Sequence, residues 1–133
     1  MTVRTVVLDT SVGVKWYKPE VGSEEARALL AAAAEGDLHI VVPAIFPHEL
    51  LDVVRRRWGH LIARESWEHL HALGVLVAGS DFELVQATLA VAEELDCTVY
   101  DAAAPALAER LGCTLVSADR RAHARVKGAR LLG

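Results

Sequence analysis

The chain has 133 residues, with 18 Asp and Glu against 14 Lys and Arg, a net charge of −4 and a hydrophobic share of 53%. That length suits one domain with a real core, so residues 1–133 are read as a single unit, and the acidic balance excludes wholesale electrostatic binding of nucleic acid while allowing a local basic patch. Apolar runs are short and broken by charges, none approaching the ~18 residues of a membrane span, and MTVRTVVLDTS lacks a secretory signal's apolar length and small-residue cleavage site, so a cytoplasmic protein without membrane contact is expected.

Val3 to Leu8 is apolar and largely β-branched on both faces, the pattern of a strand buried in a parallel sheet. Ser11 to Tyr17 predicts a short helix ended by Pro19, and GSEEARALLAAAAEG, from Gly22 to Gly36, a longer one with Ser23 as cap and Gly36 as stop. Leu38 to Val42 is the second strand. After Pro43, the residues Ile45, Leu50, Val53, Val54 and Trp58 recur at helical spacing, with the regular part beginning near Pro47 and Glu49 in its first turn or two. Ala63 to Leu73 is a further helix and Val75 to Ala78 a third strand. Ser80 and Glu83 have capping-box spacing ahead of LVQATLAVAEEL, a helix that ends near Asp96. Ala102 to Leu111 is the next helix, stopped by Gly112; TLVSAD is the fourth strand, RRAHARVK a short helix, and Ala129 to Leu132 a last small strand. This alternation defines an α/β fold, a three-layer sandwich around a central, mainly parallel sheet of four to five strands.

Ligands of such sheets bind outside the carboxyl ends of the strands. Asp9 follows strand one, Asp119 follows strand four, Asp101 opens the helix after CTVY and Glu49 opens the helix after strand two. Each aspartate taken alone is more simply a helix cap, but together the four acids can converge on one edge of the sheet. Two like unit charges about 4 Å apart at an effective dielectric of about 20 repel by about 4 kcal/mol, so such a cluster calls for a cation. All-oxygen donors suit Mg²⁺ or Mn²⁺ better than zinc. Such an ion can activate water and steady a developing phosphate charge, which fits phosphodiester hydrolysis. Asp52, one turn from Glu49, can face the same pocket or be an ordinary surface charge.

The segments VVLDTSVGVKWYKPE, PAIFPHELLDVV, CTVYDAAAPALAERLG and CTLVSADRR, in this order, resemble the PIN-domain ribonucleases, and in particular the VapC-like toxins of bacterial type II toxin–antitoxin pairs. The resemblance spans essentially the whole chain. It implies a PIN fold and a Mg²⁺-dependent endoribonuclease, with Mn²⁺ as an alternative ion. It also implies Asp9, Glu49, Asp101 and Asp119 as the catalytic acids, Asp9, Asp101 and Asp119 as metal ligands, and Ser11 and Ser117 in support. An RNA substrate, a cognate antitoxin and a homodimer follow from the same likeness. Two departures stand out: Asp52 where the family often has asparagine, and Pro105, which has no N–H to give to the carbonyl of residue 101 and so predicts an irregular or kinked turn at Asp101.

Arg55, Arg56, Arg120 and Arg121 are candidate contacts for RNA phosphates, with surface solubility the competing account. Lys15 is read as solvated and given no catalytic role. Trp16, Trp58 and Trp67 are assigned to core packing or a subunit interface ahead of base stacking. The histidines form no HExxH motif, and Cys97 and Cys113 lack zinc-site spacing and are read as reduced thiols. Two rival functions remain: a catalytically impaired PIN-like binding module, and a phosphoryl-transfer domain with a strand-end aspartate. The second is weakened because residue 11 is serine where a D-x-D motif needs acid.

Overall fold

The computed structural model describes residues 3–133. It has strands β1 (Arg4–Leu8), β2 (Leu38–Pro43), β3 (Leu76–Ala78), β4 (Thr114–Ser117) and β5 (Arg130–Leu131), and helices α1 (Thr10–Tyr17), α2 (Ser23–Ala34), α3 (Ile45–Trp58), α4 (His60–Ala72), α5 (Phe82–Leu95), α6 (Val99–Leu111) and α7 (Arg120–His123). The strands form one sheet in the order β3-β2-β1-β4-β5, and every adjacent pair is parallel. β1 lies at the centre, as its two-sided apolar sequence demands, with Val6 opposite Ile40 of β2 and Val7 opposite Leu115 of β4.

Successive strand residues face opposite sides. Val6 and Leu8 therefore join Ile40 and Val42 on the face covered by Val12 of α1, Leu29 of α2, Phe46 and Leu50 of α3 and Leu70 of α4. Val7 and Leu115 point the other way, into a core closed by Leu84 and Val91 of α5 and by Leu107 of α6. These are the three expected layers. Ala102, Ala104, Ala106 and Ala108 are all buried, and their small side chains let α6 lie close beneath β1, β2 and β4. On the opposite side a Cβ on Gly13 would stand 2.7 Å from Cζ of Phe46, so glycine permits α1 to pack against α3.

Several local details differ from the sequence reading. Ser23 does not cap α2: Gly22 holds the cap position at φ 91°, and the Ser23 hydroxyl instead accepts the Glu20 N–H at 3.0 Å. Ser80 does not cap α5 either, because the Asp81 carboxylate takes the Leu84 N–H at 2.8 Å. α6 starts at Val99 instead of Ala102, since the Thr98 hydroxyl accepts the Asp101 N–H at 3.0 Å and so nucleates an earlier turn. It then runs unbroken through Pro105 to Leu111. α4 begins at His60, directly after Gly59 at φ 94°. Lys15, read as solvated, is only 7% exposed; its ammonium donates to the Val21 carbonyl and to the Glu20 carboxylate at 3.1 Å, pinning the α1–α2 turn.

Candidate active site

The strand order reverses direction at β1, which makes the crevice beyond the carboxyl ends of β1 and β4 the topological switch point of the sheet. Asp9 follows β1 immediately and caps α1, its Oδ2 accepting the Ser11 N–H at 3.1 Å and the Ser11 hydroxyl at 2.6 Å. Asp119 lies just beyond β4 and caps α7, its Oδ1 accepting the Ala122 N–H at 3.1 Å. Capping and crevice placement therefore coexist. Asp101 sits in the first turn of α6 with its side chain 22% exposed. Glu49, on α3, is exposed, and its Oε1 accepts the Thr10 hydroxyl at 2.8 Å, which holds it beside the Asp9 turn.

Hydroxyl groups and one arginine join these acids. The Ser11 hydroxyl, while donating to Asp9, accepts the Ala118 N–H at 2.9 Å and stands 3.5 Å from Ser117 Oγ. Ser117 is fully buried; its hydroxyl oxygen accepts the Asp119 N–H at 3.1 Å and lies 2.6 Å from Nδ1 of His123. Across the crevice, Nη2 of Arg121 lies 3.3 Å from Asp101 Oδ2 and 3.5 Å from Asp119 Oδ2. One guanidinium thus bridges two carboxylates and relieves their repulsion.

The acids are arranged as linked pairs. Among the described residues no three His, Cys, Asp or Glu side chains are placed as ligands of one ion. Arg121 stands between two of them, and Glu49 is turned to Thr10. The donor set is nevertheless all oxygen, and the site already places a cation between Asp101 and Asp119. A hard divalent ion, which keeps several waters and takes one or two carboxylates, fits that chemistry.

The remaining candidates divide clearly. Arg55 and Arg56 both pair with Asp52, at 2.8 and 3.5 Å, and the Arg55 hydrogen bond before all else holds the Asp52 carboxyl below its ordinary range. Asp52 is therefore engaged along its own helix. Arg120 is exposed at the start of α7. Trp16 is a packing residue, its indole N–H donating to the Ala26 carbonyl at 2.9 Å and its ring edge-on to Phe46. Trp67 packs against the same core, whereas Trp58 is 42% exposed beneath the Arg57 guanidinium. Both cysteines are free thiols. Sequence reasoning missed Thr10, the bridging role of Arg121, and His123. Thr10 is visible in retrospect as the first of two hydroxyls after Asp9. His123 has no motif of its own, and the only hint was Pro105.

A carboxylate-lined switch point in an all-parallel sheet, closed on both faces by helices, defines an α/β sandwich of the acidic-crevice kind. The PIN domain family model matches residues 6–129, and the chain belongs to that family. Its fold is shared with VapC20 of Mycobacterium tuberculosis, a toxin that cleaves the sarcin–ricin loop, at 18% identity and TM-score 0.70, covering 94% of this chain and 98% of that one. A chain of a toxin–antitoxin complex from Klebsiella pneumoniae superposes at 15% identity and TM-score 0.75, covering 93% and 94%. A chain of VapBC2 from Rickettsia felis, bound to a DNA fragment from its promoter, does so at 15% identity and TM-score 0.73, covering 96% of each. No curated protein sequence matches the chain.

Proposed function

We propose that the protein is a divalent-metal-dependent endoribonuclease that hydrolyses RNA phosphodiester bonds as the toxin of a toxin–antitoxin pair. The observation that carries this reading is the linkage of Asp9, Asp101 and Asp119 at the switch point through Ser11, Ser117 and Arg121, with Glu49 at the rim through Thr10. PIN-family membership and a fold shared with toxins of such pairs support it. Asp9, Asp101 and Asp119 would hold Mg²⁺, or Mn²⁺ in its place. When bound, the ion supplies Lewis-acid activation of water and neutralises charge on the phosphate.

The chain's own residues do the rest. Ser11 holds the Asp9 carboxylate by two hydrogen bonds to one oxygen, and Glu49, fixed by Thr10, is the acid free to take a proton from water at the rim. Arg121, its side chain 76% exposed, can exchange its carboxylates for an RNA phosphate. Arg120 lies next to it, while Arg55 and Arg56 reach a phosphate only by leaving Asp52.

The same reading includes a single functional domain over residues 1–133, a cytoplasmic setting, a cognate antitoxin over the acidic crevice and a homodimer. Among the described residues no helix is long and apolar enough to cross a membrane. The dimer is supported by α5, which exposes Phe82, Val85 and Leu89 at helical spacing, and by Leu76 and Val77 on the edge strand β3.

The test is cleavage of labelled structured RNA by purified, antitoxin-free protein in Mg²⁺ or Mn²⁺. Cleavage should vanish in chelator and in Asp9→Asn. Cleavage that persists in either control sinks the proposal. That no three acids converge among the described residues favours one second reading, a binding module without catalysis, and calorimetry showing no Mn²⁺ uptake would select it.

A further inference from the structure

Proline 105 should leave a defect in α6. A residue four positions along a helix normally donates its N–H to the carbonyl behind it, and proline has none to give. The carbonyl left without its helical donor is that of Asp101, the residue whose carboxylate faces the crevice. Pro105 is buried, so water is a poor substitute. The helix continues unbroken, and His123 stands at the defect: its Nε2 is 2.7 Å from the Asp101 carbonyl oxygen. A carbonyl can only accept, so Nε2 carries the proton and donates. In the neutral ring Nδ1 is then the acceptor, and the Ser117 hydroxyl 2.6 Å away donates to it. Ser117 in turn accepts the Asp119 N–H at 3.1 Å and lies 3.5 Å from Ser11, which holds Asp9. His123 is 1% exposed and Ser117 fully buried, so the bond between them is shielded from solvent.

We propose that Pro105 and His123 are a matched pair, in which the proline frees the Asp101 carbonyl and the histidine uses it to lock the first turn of α6 to the end of β4, setting the Asp101 carboxylate across Arg121 from Asp119. His123 is a positioning residue. Its imidazole touches no reacting atom in this scheme; it acts through the backbone of Asp101 and the hydroxyl of Ser117. The functional part of this inference rests on the metal-nuclease reading, whereas the pairing stands on the geometry alone.

The experiment is a double-mutant cycle on the full chain with His123→Leu, Pro105→Ala and the double variant, read by urea unfolding, by backbone amide shifts and by Mn²⁺ calorimetry. His123→Leu should be strongly destabilised with Pro105 present and only mildly so in the Pro105→Ala background, where residue 105 regains an N–H for the Asp101 carbonyl. Amide shifts of Asp9, Asp101 and Asp119 should move in His123→Leu and return toward wild type in the double variant. Mn²⁺ affinity should fall about 10-fold in His123→Leu, the size of effect expected when a group supporting a metal ligand is lost, and recover in the double variant. His123→Gln, which keeps a donor, should stay within a few-fold of wild type and serves if His123→Leu does not fold. Additive stabilities, or unmoved shifts at the three aspartates, overturn the pair. If the wild type takes up no Mn²⁺, the metal-nuclease reading fails, while stabilities and shifts still decide whether the two residues act together.

Discussion

Asp81 and Asp119 each cap a helix through one carboxylate oxygen, yet they live in opposite electrostatic circumstances. At the start of α5, Arg110 grips Asp81 with both terminal guanidinium nitrogens, at 2.7 and 2.8 Å, and its hydrogen bonds, ahead of the Leu84 N–H, draw the carboxyl down to about 2. At the crevice a single nitrogen of Arg121 is divided between Asp119 and Asp101 at 3.5 and 3.3 Å, and Asp9 is held by a hydroxyl and an amide with no arginine. Helix capping is common to both places. The ratio of cations to acids separates them: a complete ion pair serves stability, and an incomplete one leaves charge available for chemistry.

The sharpest way to break that comparison is to neutralise one acid in each region and read both activity and melting. Asp9→Asn should lower RNA cleavage by more than about 100-fold, since even groups that merely support a metal ligand cost 10–100-fold, while Tm holds or rises as like-charge repulsion is relieved. Asp81→Asn should leave cleavage unchanged and lower Tm. Parallel losses in the two variants would erase the distinction. The next effect in size is Arg121→Ala, which removes the cation competing for Asp101 and Asp119 and should raise Mn²⁺ affinity several-fold by calorimetry, whereas Arg110→Ala should leave Mn²⁺ uptake alone. A weaker ion uptake in Arg121→Ala would mean the guanidinium belongs to the site's resting charge balance.

The smallest effect is in the pH dependence. The folded carboxyl of Asp81 titrates at about 2, below its ordinary 3.8. A depressed carboxyl contributes stability above its unfolded value and loses it as pH falls through the folded one. The Tm gap between wild type and Asp81→Asn should therefore be constant above about pH 5 and close progressively from about pH 4 toward pH 2. A gap that persists at pH 2 would assign the stabilisation to something other than the ionised pair.

The sequence announced the strands and the acids at their ends because both are local: an apolar run that stops at Asp9 or shortly before Asp119 is written in adjacent residues. Membership of the PIN-domain family and the layered sheet followed from the same segments. The partners of those acids were not local. Ser80 and Asp81 are both good caps, and Asp81, the one that caps α5, is also held by an arginine 29 positions away. Pro105 looked like a flaw because its compensation, His123, arrives from a different helix. Asp52, ambiguous between pocket and surface, was settled by the arginines one turn along its own helix, which sequence spacing already contained.

The central position of β1 has a temporal side. Ser11 and Ser117 touch across a separation of 106 positions, and the strand that brings them together is the fourth of five. A chain made only as far as α5 owns just Asp9 and Glu49; Asp101, Asp119 and Arg121 follow with α6 and α7. The linked crevice is therefore completed only when β4 docks beside β1, bringing Ser117 to Ser11 and Asp119 to the end of β1.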